Sequence, residues 1–245
     1  MKSRLAVFAW SLLVATSTFA STTNDFPDAE IQGRSLVQQL LNQTPVKDST
    51  NSGVLVIRDS KGGHAEIPMR FQTCTTEMNS LNWLSNYQTT TTNKNFRLMI
   101  VHSGNQPNSY RLFEDGVWKN LGENETMIPF AASDFWIADL GLEFFHWPEQ
   151  KILKSEMRRG RPCKVLESVN PSPSTNGYSR VVSWIDNESD GIVHAEAYDA
   201  NRRLLKEFDP KSFKKVDGQW ELRDMEIRNV QTGSRTRLAF DLEVH

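Results

Sequence analysis

Two carboxylates, Asp134 and Asp139, stand in the most aromatic segment of the chain, "SDFWIADLGLEFFHWPEQ" (Ser133 to Gln150). A pair of carboxyl groups beside aromatic rings could do general acid–base chemistry. Each also stands where a helix cap would, and capping explains the pair better. A second group, "MRRGRPCK", gathers Arg158, Arg159, Arg161 and Lys164. It could meet phosphate or an anionic head group, although a solvated hairpin turn accounts for it more simply. The five histidines, His64, His102, His146, His194 and His245, are scattered without ligand spacing, so no metal site is expected. There is no nucleophile elbow, Walker loop, glycine-rich dinucleotide turn or zincin motif. The residues therefore predict neither an enzyme nor a cofactor. Two cysteines, Cys74 and Cys163, are compatible with a disulfide or with two buried thiols on unrelated strands.

The chain that must position these groups has 245 residues, 38% hydrophobic and 24% charged. That composition fits an ordinary globular protein. A net charge of −2 offers no field to draw nucleic acid to the molecule as a whole, and no nucleic-acid partner is expected. Lys2 and Arg4 followed by the apolar run Leu5 to Ala15, with Thr18 and Ala20 at small-residue positions, predict a secretory signal peptide over residues 1–20. The run is too short to span a bilayer. Residues 21–245 are then expected to form one domain, soluble and outside the cytoplasm after cleavage.

Asp28 precedes "AEIQGRSLVQQLLNQ", where Ile31, Leu36, Val37, Leu40 and Leu41 suggest one apolar helix face. Gly33 weakens that helix. From Ser52 the period changes to two. "SGVLVIRD" and "HAEIPMRFQT" flank the turn Asp59 to Gly63, a hairpin signal. Pro68 has no N–H, so its strand is an edge or is unpaired on that side. "FRLMIVHS" is apolar on both faces, and "SYRLFEDGVWKNL" turns at Glu114 to Gly116. After the aromatic segment the strands resume, with turns at Arg159-Gly160, at Asn187 to Gly191, through Pro210, and at Asp217-Gly218. Trp220 and Leu222 share a phase that Met225 and Ile227 do not, which predicts a bulge near Arg223-Asp224. About a dozen strands joined by short turns, without a βαβ rhythm, imply a mainly antiparallel sheet. Such a sheet with one apolar face must curl, close or be covered.

The aromatic segment reads as the cover. Ser133 is a candidate N-cap, Trp136, Leu140, Phe144 and Trp147 recur at near four-residue spacing, and Pro148 ends the run. Gly141, just after Asp139, suggests a break into two short helices. Pieces this short are not stable alone, so their apolar face must lie on the sheet. A filled core is the simple outcome. A concave sheet rich in large side chains and lidded by aromatic helices could instead enclose a cavity.

The motifs "SDF…DL" (Ser133, Asp134, Phe135, Asp139, Leu140), "FFHWP", "RPCKVLE", "YSRVVSWID", "AEAYD", "LLKEF" and "RTRLAFDLE", in that order, resemble the outer-membrane lipoprotein-sorting proteins of the LolA/LolB/RseB-like fold superfamily. The resemblance covers Asp28 to Glu243. It implies a mainly β (α+β) fold: an incomplete, strongly curved antiparallel β-barrel with helices covering the concave face. It further implies a periplasmic carrier that holds lipoprotein acyl chains or lipids in an apolar cavity and moves them toward the outer membrane between membrane-protein donors and acceptors. An RseB-like sensor module and a glycolipid or other lipid shuttle are the alternatives. On this reading the cavity and its lid would be lined by Ile57, Met69, Phe71, Phe96, Leu98, Tyr110, Trp118, Phe135, Trp136, Leu140, Phe144, Trp147, Trp184, Tyr198 and Trp220.

Overall fold

The computed structural model describes residues 28–76, 81–90, 95–122, 125–216 and 219–241. The expected signal peptide lies outside the described residues. After helix α1 (Ala29–Leu41) the chain forms β1 (Ser49–Arg58), β2 (His64–Thr75), β3 (Asn82–Thr90), β4 (Asn95–Ser103), β5 (Gln106–Glu114) and β6 (Val117–Leu121). An insert then carries helix α2 (Ile137–Leu140) and a single 3-10 turn, Glu143–His146. The chain continues through β7 (Glu149–Arg158), β8 (Arg161–Val169), β9 (Arg180–Asp186), β10 (Ile192–Tyr198), β11 (Leu204–Val216), β12 (Gln219–Asn229) and β13 (Arg235–Asp241).

All thirteen strands belong to one antiparallel sheet, ordered β6-β5-β4-β3-β2-β1-β13-β12-β11-β10-β9-β8-β7. Two meanders thus meet at the pairing of β1 with β13, and the curved sheet stays open between β6 and β7. This order explains the position of the insert. Residues 122–148 join one edge strand to the other edge strand, so they must cross a face of the sheet. They cross the apolar concave face.

Hairpin chemistry fixes the register. Asp115-Gly116 and Arg159-Gly160 each have two successive positive φ angles, the pattern of a type I′ turn that suits the strand twist. Asp59 Oδ1 accepts the N–H groups of Lys61 and Gly63 and closes the β1–β2 turn. The bulge expected near Arg223 is present: Ser212 faces Asp224 and Phe213 faces Leu222, so Arg223 is skipped. A compensating skip at Lys211 keeps β11 running from Leu204 to Val216, where the sequence suggests a turn at Pro210. The two bulges cancel, and Pro210 is tolerated at the irregularity. Pro68 behaves as its missing N–H requires, because the β2–β3 ladder starts one residue later, at Met69.

In strand β3 two inward positions, Ser85 and Thr89, carry hydroxyls in phase with Trp83 and Tyr87. One expectation for α1 is corrected. Ile31 is 59% exposed and not on the buried face of α1. That face is Ala29, Gly33, Leu36 and Val37. It is centred on Gly33 because the helix presses there against β7: a Cβ at Gly33 would lie 2.6 Å from the backbone oxygen of Gln150. The glycine that lowers helix propensity is what lets the helix dock. Cys74 on β2 and Cys163 on β8 are free thiols, so no disulfide joins them. Seven strand-to-strand steps of the sheet separate the two cysteine-bearing strands.

Candidate functional site

The insert opens with a tight loop. Ala131 and Ala132 both take positive φ, Phe130 N–H donates to Phe135 O at 2.8 Å, and Ser133 N–H donates to Phe130 O at 2.9 Å. Ser133 Oγ accepts the Phe135 N–H at 3.2 Å. It therefore stabilises the loop and does not cap α2. The capping carboxylate is Asp139, whose Oδ2 accepts the Trp136 N–H at 2.7 Å. The helix breaks after Gly141, where Leu142 takes φ 48°, and the 3-10 turn follows. Phe130, Phe135 and Ile137 are buried with Leu98, Ile100 and Tyr110 in one core. Phe144, Phe145 and Trp147 are buried with Leu36, Val37, Ile152 and Tyr178 in another. The insert therefore joins both halves of the concave face.

Polar contacts fasten it as well. Lys206 of β11 is 2% exposed and points inward between Leu205, which a bulge turns to the inner core, and Phe208. Its Nζ donates to Asp134 O at 2.7 Å, lies 3.4 Å from Asp139 Oδ2, and sits 3.6 Å from the centre of the Trp136 ring. Tyr178 stacks on Trp136 with centroids 4.6 Å apart and donates its hydroxyl to Asp139 Oδ1 at 2.9 Å. Ser234 and Thr236 hydroxyls donate to the Asp134 carboxylate at 2.6 and 2.8 Å, and Thr236 Oγ1 accepts the Asp134 N–H. Burial pushes the Lys206 ammonium down to about 8, against the pull of Asp139 and Asp134. Neither carboxylate faces an open cleft as an acid–base pair would. Both are structural ties between the insert and the β11–β13 region.

Three further ties hold the far end. Gln150 Nε2 donates to the carbonyls of Phe144 and Trp147 at 2.9 and 2.8 Å, while Ser168 donates to Gln150 Oε1. Asn108 donates to Gly141 O at 2.8 Å. The Tyr110 ring lies so close to Gly141 that a Cβ there would come 2.3 Å from its hydroxyl oxygen.

Near this end, Trp83 stacks on His102 at 3.7 Å, and His102 Nε2 is 3.0 Å from Ser85 Oγ. A serine and a histidine at this distance could act as nucleophile and base. Ser85 is only 1% exposed, however, and its hydroxyl has no path to a substrate in this state. Burial, then the neighbouring His146, push His102 down to about 4. The sign follows directly. Between pH 4 and 6.5 the unfolded chain binds a proton that the folded His102 refuses, so stability is full above pH 6.5 and is lost as the pH falls toward 4. His146, also lowered by burial, adds in the same direction. Urea denaturation from pH 7.5 to 4.5 is expected to show a slope of up to about 1.4 kcal/mol per pH unit from His102, reduced in His102→Gln.

The residues named for the cavity separate into groups. Met69, Leu98, Tyr110, Phe135 and Leu140, with Phe71 and Phe96 beside them, pack in the first core. Phe144 and Trp147, with Trp136 beside them, pack in the second. Ile57 is half-buried and shares the inward phase of Leu55. Three belong elsewhere. Trp118 is 38% exposed and pairs with Phe113, out of phase with the inward Tyr110 and Leu112. Trp184 and Tyr198 pack with Cys163, Val165 and Val182 in a third cluster on the outer face. Strand β9 is buried on both sides, so its apolar residues do not reveal which face is concave. The side chain of Trp220 lies outside the described residues. Of "MRRGRPCK", Arg159 pairs with Asp209 and Arg161 with Asp186, both at 2.7 Å, and Arg158 covers the Trp184 ring. These are structural contacts of a hairpin.

Three solved structures share the fold of this open, curved antiparallel sheet. One is a DUF1329 family protein from Desulfovibrio piger, at TM-score 0.72 and 17% identity, with 88% of this chain and 92% of that chain covered. One is described as an outer membrane lipoprotein-sorting protein domain from Vibrio parahaemolyticus, at TM-score 0.72 and 20% identity, covering 87% and 92%. The third is a LolA superfamily protein from Nitrosomonas europaea, at TM-score 0.59 and 16% identity, covering 87% and 93%. A family model described as "-like: Uncharacterized protein" matches residues 116–243, slightly more than half of the chain, and the chain belongs to that family. No curated protein matches the sequence.

In this latch between insert and sheet, Asp134 and Asp139 stand out in the sequence as a carboxylate pair, whereas Tyr178, Lys206 and Thr236 carry only a fainter signal. Asp134 and Asp139 lie in "SDF…DL", Tyr178 in "YSRVVSWID", Lys206 in "LLKEF" and Thr236 in "RTRLAFDLE". Four of the quoted motifs meet at one point in space.

Proposed function

We propose that the protein is a periplasmic carrier that takes acyl chains of lipoproteins or lipids between its sheet and its insert. The observation that carries this reading is the construction of the cover. The concave face of a 13-stranded sheet is apolar, and a short insert closes it. That insert packs its aromatic side chains into both cores and is tied to the sheet by polar contacts of Asp134, Asp139 and Gln150. On opening, the polar ties can be exchanged for water at modest net cost, and an entering acyl chain replaces the apolar contacts that the insert gives up. In the closed state the aromatic side chains fill the interior, so uptake requires the insert to swing outward. The gain is adequate: each buried CH₂ contributes about 0.8 kcal/mol, so a chain of about sixteen carbons supplies about 10 kcal/mol before the cost of opening. The Vibrio parahaemolyticus domain, whose description names lipoprotein sorting, supports the same reading.

The test is native mass spectrometry of the secreted protein before and after delipidation, followed by titration with a fluorescent fatty acid. Co-purified or rebound acyl species are expected, and Phe135→Trp should report binding through a change in emission. Absence of both co-purified and rebound lipid would overturn the carrier reading.

A further inference from the structure

On the face of the sheet away from the insert, a cross-strand row of cations runs along one end of the central strands. Arg58 of β1 lies directly opposite Arg235 of β13, and Arg235 lies directly opposite Arg228 of β12. His64 flanks the row on one side and the carboxylate of Glu207 on the other. Like charges directly opposite one another destabilise a sheet. Charges on edge strands are a known guard against aggregation, but β1, β13 and β12 lie at the centre of the strand order. The row therefore carries a cost without the protective return that an edge would give.

The row lines a cleft of about 780 Å³, walled by the turn Asp59 to Gly63, by Gly233 and by the outward side chains of β11 and β12. The carboxylates of this cleft are already engaged. Asp59 is bonded to its own turn, and Glu207 pairs with Arg228 at 3.6 Å. Glu226 pairs with Lys211 at 3.0 Å, and Asp209 with Arg159 and His194. Arg58 and Arg235 have no carboxylate within ion-pair distance among the described residues, and both are exposed.

We propose that Arg58 and Arg235, with Arg228 beside them, form a binding site for a phosphate-type anion, free or as a lipid head group. Adjacent guanidinium forks suit a tetrahedral oxyanion, which can accept paired N–H bonds from each. An anion between them turns the like-charge opposition into attraction. The site lies on the opposite face from the insert, so it stands or falls independently of acyl-chain uptake.

Isothermal titration calorimetry with inorganic phosphate, and co-sedimentation with vesicles of phosphatidylglycerol or of phosphatidylcholine alone, test it on the secreted protein. The variants are Arg58→Gln/Arg235→Gln and, as an equal-charge control, Arg34→Gln/Arg202→Gln. Binding of phosphate or of phosphatidylglycerol vesicles is expected in the wild type, weakened at least tenfold in the first variant and kept in the control. Vesicle binding without phosphate binding assigns the anion to a head group, and phosphate binding without vesicle binding assigns it to a free ligand. No binding in either arm, or equal loss in both variants, overturns the site. Both arginines are exposed, so the first variant is expected to melt no lower than the wild type, and thermal unfolding checks that it is folded.

Discussion

Asp139→Ala is expected to cost about 3–5 kcal/mol of stability at pH 7, because it strips one partner from a buried pair and leaves the other charge in place. Three losses contribute. Lys206, 2% exposed, keeps its ammonium without a carboxylate. The Tyr178 hydroxyl loses its acceptor, and the Trp136 N–H loses its cap. Lys206 is already held down to about 8, so part of the first loss is relieved by shedding the proton. Asp139→Asn keeps one acceptor oxygen and is expected to cost less. Asp139→Ala combined with Lys206→Met should recover more than 1 kcal/mol relative to the sum of the two single changes, since no orphaned charge remains. Chemical denaturation of the four proteins measures this coupling, and strict additivity would remove Lys206 from the latch. The pH profile gives a second check. Lys206 is depressed from 10.5 to about 8, so the unfolded chain binds its proton more tightly across that interval. Its contribution to stability rises with pH from about 8 toward 10, and Lys206→Met flattens that rise. If the insert is the gate, Asp139→Ala also accelerates fatty-acid uptake.

Much of this arrangement is legible in the residues. The hairpins at Asp59 to Gly63, Asp115-Gly116 and Arg159-Gly160 follow from turn chemistry, and the bulge at Arg223 follows from a change of phase within a single strand. The break of the insert at Gly141 follows from glycine after a capping carboxylate. What periodicity does not carry is which face a strand turns inward when both faces are apolar. That is why Trp184 and Tyr198 read as lining while they cover the outer surface. Nor does it carry long-range polar partnerships. Lys206 stands at an inward position between Leu205 and Phe208, a local anomaly whose compensation lies 67 residues away at Asp139. The same holds for Asp134, which reads as a helix-start charge and instead binds hydroxyls of β13 and its approach. Local rules assign each residue a local role, and the latch is built from the residues those rules place least well.

Gly33→Leu is expected to undock α1, with a loss of about 3–6 kcal/mol. The Cβ would sit 2.6 Å from the Gln150 oxygen and 2.7 Å from the Lys151 nitrogen, both backbone atoms of β7 that cannot turn aside. The helix must lift, and Leu36 and Val37 then lose their packing against the second core. Each fully buried aliphatic side chain contributes about 1.5–3 kcal/mol, which bounds the effect. The gain in helix propensity over glycine, about 1 kcal/mol or less, does not offset it. Ile31→Ala, two residues away but 59% exposed, should shift stability by less than about 0.5 kcal/mol. Near-UV circular dichroism with thermal unfolding separates a lifted helix from a globally unfolded chain. The comparison also assigns the moving part. Gly33→Leu loosens the cover from α1 while leaving Lys206, Asp139 and Tyr178 in contact, whereas Asp139→Ala loosens it from the latch while leaving α1 seated. Faster fatty-acid uptake in Asp139→Ala alone makes the insert the gate. Faster uptake in Gly33→Leu alone moves the entrance to the α1–β7 seam, and the latch then serves to hold the insert still while the helix opens.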